Sequence, residues 1–121
     1  MADNRIAGVC YLKADGQQFA LKGDLTINID KVTRTGVAGA DRVHGFTETV
    51  NIPFISGTVS LTSDLSIEKL QEMTDVTVVA ELANGKSYIL RNAWSAESRE
   101  LNASEGQTPV RFEGKSGEEL T

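Results

Sequence analysis

The 121-residue sequence holds one cysteine, one histidine, one tryptophan and two prolines, and only 6% of it is aromatic. With Cys10 alone no internal disulfide can form, so the fold has to be held by packing. Cys10 itself is read as a small buried strand residue. A metal centre needs several His, Cys, Asp or Glu side chains at set spacings, and neither C-x-x-C nor H-x-x-x-H occurs. A Cys10–His44 nucleophile pair would rest on nothing but the uniqueness of the two residues. Gly36-Val37-Ala38-Gly39-Ala40 lacks the Gly-Lys-Ser/Thr of a phosphate loop, and there is no G-x-S-x-G elbow. Glu68 and Glu72 fall on the polar face of a helix, Glu97, Glu100 and Glu105 in a loop, and Glu118-Glu119 in a tail, so they read as solvated rather than as acid–base pairs. No catalytic, cofactor-binding or metal-ligating residue is assigned, and the chain is read as not an enzyme. Trp94 reads as a core or sheet-edge residue. A carbohydrate or single-strand binder would show more exposed aromatics than this chain has.

Other classes fall for want of their signatures. No apolar run is long enough for a membrane span, and Met-Ala-Asp-Asn-Arg is not a signal-peptide start. Synthesis and folding in a reducing cytoplasm are therefore expected, and Asn102-Ala103-Ser104 is taken as a chance sequon. The net charge of −5 makes the chain a poor gripper of nucleic acid, which needs Lys and Arg to displace counterions. It does not exclude nucleic acid as a cargo that must slide.

What is present is β pattern. Val9–Lys13 and Gln18–Lys22 flank Asp15-Gly16, whose tolerance of positive φ predicts a type I′ hairpin. Leu25, Ile27 and Ile29 alternate with Thr26, Asn28 and Asp30, the mark of a half-buried strand. Further strands are predicted over Phe46–Phe54, Ile55–Thr62, Asp75–Leu82, Lys86–Trp94 and Pro109–Glu113, with a second type I′ turn at Asn84-Gly85. One helix is predicted from Ser66 to Met73, capped by Ser66 and docked through Ile67, Leu70 and Met73 or Thr74. Ser95–Thr108 reads as loop and 115–121 as a loosely ordered polar tail. The fold class is α+β, mainly β: one domain over 1–121, an antiparallel sandwich or barrel with one flanking helix.

Lys31 to Gly45 stands apart. It carries three glycines, three basic side chains and little apolar weight, then runs into Phe46–Phe54, where Phe46, Val50, Ile52 and Phe54 share a face broken by Glu48. A connection this long with no core of its own is usually functional or disordered. The 31–54 segment is expected to be an arm that gains its order on meeting a partner. Lys31, Arg34, Gly36, Gly39, Arg42, His44, Phe46 and Glu48 are its candidate interface residues, with the arginines placed to meet carboxylates of a neighbouring subunit. A small antiparallel sheet must also manage its edges, and pairing with copies of itself gives closed rings or rising filaments.

The order and spacing of short motifs resemble the tail tube proteins of Mu-like contractile-tailed phages. These motifs are Arg5-Ile6-Ala7-Gly8, Leu21-Lys22-Gly23, Arg34 with Gly36 and Gly39, Val43-His44-Gly45-Phe46-Thr47-Glu48 leading to Ile52-Pro53, Glu81–Tyr88, Asn92-Ala93 and Val110–Gly114. The chain departs from the family pattern at Thr35, where an acidic residue is usual, and around Arg42, where a further glycine is usual. The resemblance implies a structural subunit of the virion, assembled in the host cytoplasm. It implies hexameric rings that stack into an inner tube, a surrounding contractile sheath, and baseplate and tail-terminator partners. DNA would be a non-specific cargo of the lumen, and no cofactor or membrane is involved. A tube of a bacteriocin or type VI-like secretion system is the alternative with the same fold. A small-ligand-binding β-domain is the alternative of another class.

Overall fold

The computed structural model describes residues 10–63 and 65–120, with the side chains of residues 23 and 24 left aside. The Arg5–Gly8 motif and Val9 lie outside the described residues. The strands are β1 (Cys10–Ala14), β2 (Gln17–Phe19), β3 (Leu21–Asn28), β4 (Val32–Ala38), β5 (Val43–Val50) and β6 (Phe54–Ser60), followed by helix α1 (Ile67–Glu72). Then come β7 (Val76–Leu82), β8 (Ser87–Ser95), β9 (Gln107–Glu113) and β10 (Ser116–Leu120).

One antiparallel sheet runs β2-β1-β7-β8-β9-β6-β3, and β4-β5 stand apart as a two-stranded ribbon. The end strands β2 and β3 are consecutive, separated only by Ala20, whose carbonyl accepts from the Ser60 amide at 2.8 Å. The sheet therefore curls back on itself into a nearly closed barrel, which removes most of its exposed edge. Alternating residues point inward: Leu12 and Ala14 of β1, Val78 and Ala80 of β7, Ile55 and Val59 of β6, Val110 and Phe112 of β9, all buried. Phe19 tilts against Phe112 with ring centroids 6.2 Å apart.

The expected helix is there and plugs one side of the barrel with Leu70 and Met73. The Ser66 Oγ accepts from the Lys69 amide at 3.3 Å, which caps the first turn. The Met73 carbonyl accepts from the Ser95 amide at 2.8 Å and ties the last turn to β8. Ser66→Ala should cost about 1 kcal/mol through loss of the cap. Thermal unfolding should then shift down by about 4 °C, with the far-ultraviolet signal of the β-sheet unchanged.

Three expectations need correction. Asp15 (φ 51) and Gly16 (φ 79) both adopt positive φ as type I′ requires, but at the second hairpin only Gly85 (φ 91) does. There the Gly85 amide bonds the Leu82 carbonyl. Ala83-Asn84 thus form a type I turn, and Gly85 takes the left-handed bulge position after it. The run Phe46–Phe54 is not one strand, because Asn51, Ile52 and Pro53 break it between β5 and β6. And the expected polar tail is strand β10, paired with β8 from Ser116↔Arg91 to Leu120↔Ser87. Its polar sequence gave no alternation because Gly117 is its sole buried residue.

Candidate functional site

The segment with no core of its own is a projecting antiparallel arm. Pairs run Val32↔Val50, Thr33↔Thr49, Arg34↔Glu48, Thr35↔Thr47, Gly36↔Phe46 and Val37↔Gly45, then shift at a bulge to Ala38↔Val43. Seven residues of strand give the arm a reach of about 23 Å. Every residue of β5 is exposed, and in β4 only Val32 is partly covered. The backbone ladder of the arm runs its length, and Thr, Val and Phe favour pleated pairing. What is missing is packing.

Register gives the arm two unlike faces. Thr33, Thr35, Thr47 and Thr49 form a hydroxyl face. Val32, Arg34, Phe46, Glu48 and Val50 form the other, with Phe46 59% and Val50 83% exposed. Glu48, the apparent exception in the sequence pattern, sits opposite Arg34 and meets it at 3.7 Å. The Arg34 guanidinium also lies 5.6 Å from the centre of the Phe46 ring. Arg34 therefore has a carboxylate beside it within the arm. Gly36 faces Phe46 and leaves open space beside the ring.

At the tip the Gly39 amide donates to the Arg42 carbonyl at 2.7 Å and closes the turn. The His44 imidazole lies on Gly39 so closely that a Cβ there would collide with its Nε2, and the same ring approaches Asp41 at 3.8 Å. Gly45 has φ 148, which a β-branched residue could not adopt. Gly39→Ala should therefore drive His44 off the turn. Its imidazole resonances should shift, and the amides of Gly39 to Val43 should exchange faster, while core amides keep their protection. Lys31 and Arg42 are exposed at the root and the tip. Sequence reasoning brought the eight candidates to one arm but missed Val43, Val50 and Ile52, which are 74%, 83% and 54% exposed. Alternation alone assigns Val50 and Ile52 to a buried face.

The root of the arm is well tied. The Asn51 amide donates to the Lys31 carbonyl, and its Nδ2 donates to Asn28 Oδ1 at 3.1 Å and to the Asp30 carbonyl at 2.9 Å. Elsewhere the clefts are shallow and polar. One of about 350 Å³ lies between Thr26, Ser56, Thr58 and the Glu97–Arg99 turn. Arg111 closes it, stacked 3.9 Å over Phe54 and paired with Glu113 at 3.1 Å. Partial burial lowers the Arg99 guanidinium from its ordinary value. Among the described residues no three metal-ligating side chains converge, and no helix is long and apolar enough to cross a membrane.

A family described as phage tail tube protein matches residues 3–119. The chain is similar to the Mu-like prophage FluMu tail tube protein of Haemophilus influenzae (strain ATCC 51907 / DSM 11121 / KW20 / Rd). It is 29% identical to that protein over 96 residues, which span 79% of this chain and 80% of that one. Its fold is like that of the PVC sheath/tube terminator of an extracellular contractile injection system in the extended state. The TM-score is 0.65 at 6% identity, with 93% of each chain covered. It is also like the tube-terminating cap of the anti-feeding prophage, at a TM-score of 0.63 and 10% identity over 100% of this chain and 95% of that one. At such identities the two likenesses speak for the fold alone. The match over nearly the whole length places the chain: it belongs to the phage tail tube protein family, a family of structural proteins and not of enzymes.

Proposed function

We propose that this chain is the repeating subunit of a phage tail's inner tube. Copies close into hexameric rings, the rings stack, a contractile sheath surrounds the stack, and DNA passes through the lumen. Baseplate and tail-terminator proteins meet its two ends, the assembled product is part of the virion, and assembly takes place in the host cytoplasm. The observation that carries this reading is the uncovered apolar face of the arm. Val32, Phe46 and Val50 line up on a ribbon that touches no core of its own. A lone two-stranded ribbon is marginal in water. Burying Phe46 and Val50 against another copy would contribute about 1.5–3 kcal/mol each. Lys31, Arg34, Gly36, Gly39, Arg42, His44, Phe46 and Glu48 lie in that contact, and Val50 joins them. The net charge of −5 suits a channel that DNA must leave without sticking.

Sizing chromatography with negative-stain microscopy of the purified chain tests this. Rings or tubes that grow with concentration are expected. A monomer at every concentration and salt condition would overturn the reading. A tube of a bacteriocin or other contractile injection system is the second reading, favoured by the fold it shares with the two terminator structures. Capsid and portal genes beside this one, as against secretion genes, decide between them.

A further inference from the structure

The last strand of the chain holds on differently from the others. Ser95↔Phe112 and Trp94↔Glu113 pair β8 with β9, and Arg91↔Ser116 pairs it with β10. From Trp94 to Arg91 is three residues, and from Glu113 to Ser116 is three, so β10 continues β9 in the same register along one edge of β8. The break falls at Gly114-Lys115, beside a bulge in β8 where Thr77 of β7 faces both Arg91 and Asn92 of β8 and Asn92 has φ 50. β9 is bonded on both sides, to β6 and β8. Among the described residues β10 pairs with β8 alone.

No β10 side chain enters the core. Its hold is a five-pair ladder and surface groups: Arg91–Glu118 at 3.0 Å and Lys86–Glu119 at 3.6 Å. A hydrogen bond to Glu119, then burial and the charge of Glu119, also keeps the Tyr88 hydroxyl above its usual value, so this contact is present at neutral pH and lost as alkali ionises the phenol. Any second copy could reproduce these bonds atom for atom.

The seat of β10 is built from the root of the arm. A Cβ on Gly117 would stand 2.9 Å from Ile29 Cβ, so Ile29, two residues before the arm begins, lies directly on this strand. The Gly114 amide, at the hinge, donates to the carbonyl of Pro53 on the other side of the root. Both contacts bear on residues at the root of the arm.

We propose that β10 is an exchangeable strand: when the arm docks, β10 leaves its own β8 and fills the Ser87–Arg91 edge of a second copy. This rests on the tube reading above. Exchange of an identical element is a low-cost route to association, because the edge of the second copy offers the strand the same ladder and the same ion pairs that it leaves at home. In the single chain β10 guards the β8 edge against unwanted pairing.

Ser87 and Leu120 are directly opposite, at a spacing that a disulfide can span. In a Cys10→Ser background, a chain carrying both Ser87→Cys and Leu120→Cys can lock β10 in place when oxidised. Assembly is followed by light scattering and microscopy, with and without reductant. The expected result is a folded, oxidised monomer that assembles at least tenfold more slowly than its reduced form. Mixed single variants, S87C with L120C, should yield disulfide-linked dimers in tubes and none in monomers. Tubes of equal yield from oxidised and reduced chains, or tubes without intermolecular bonds, would overturn the exchange and leave the tube reading standing. Tubes from neither form, nor from the unsubstituted chain, would overturn the tube reading itself.

Discussion

Deleting Val37 to Arg42 should abolish polymerisation and leave a cooperatively folding chain. The deletion joins Gly36 to Val43, and Val43-His44-Gly45 then bridges back to Phe46, the former partner of Gly36. The ladder from Val32↔Val50 to Gly36↔Phe46 survives, so the root keeps its bonds from Asn51 to Lys31, Asn28 and Asp30. What goes is reach and tip. β4 loses Val37 and Ala38, about 7 Å of reach, and the Gly39–Arg42 turn with its stacked His44 is lost. No residue of the arm belongs to the core, so stability should change by about 0.5 kcal/mol, as for other surface changes away from packed groups. The measurement is a pair: unfolding followed by fluorescence of Trp94, and tube yield by microscopy. Unchanged unfolding with no tubes is the expected result. Loss of the cooperative transition would show that the arm is part of the fold, and normal tubes would show that its tip is not part of assembly.

How much of this could be read in the sequence follows from how each element is held. β1, β7, β8 and α1 announce themselves because a buried face imposes a period on the residues. Leu12 and Ala14, Val78 and Ala80, and Ile67 with Leu70 all show it. The turn at Asp15-Gly16 is legible because positive φ at both positions admits few residues. Elements held by backbone pairing alone leave no such trace. β10 buries only Gly117, so Lys-Ser-Gly-Glu-Glu reads as a tail until β8 supplies an edge for it. In the arm, Phe46, Val50 and Ile52 do alternate like a core strand, but the surface that alternation serves is not in this chain. The pairing of Glu48 with Arg34 is equally hidden, since it depends on a register that the bulge at Val37/Ala38 sets. The family resemblance, and not the residue pattern, supplied the tube.

Phe112→Ala is the substitution expected to cost the fold most. Phe112 is fully buried on β9, opposite Ile55 of β6 on one side and Ser95 of β8 on the other, with Phe19 leaning on its ring. β9 is the strand that joins the β3-β6 half of the barrel to the β8-β7-β1 half, so a cavity here lies between halves that cannot collapse independently. Truncating a buried phenylalanine costs about 3–5 kcal/mol, against about 6–18 kcal/mol for the whole stability of a domain of this size. At about 4 °C per kcal/mol the thermal midpoint should drop by about 12–20 °C. Assembly should fail in proportion to the folded fraction and recover on cooling, because the arm is untouched and docking draws the folded state forward by mass action. That recovery separates this variant from the tip deletion, which should stay unassembled at every temperature where it is folded. A Phe112→Ala chain that remained unassembled when fully folded would mean that β9 transmits its packing to the arm. The Gly114–Pro53 bond just past β9, the Phe54↔Glu113 pair and the Arg111–Phe54 stack are contacts through which that could pass directly.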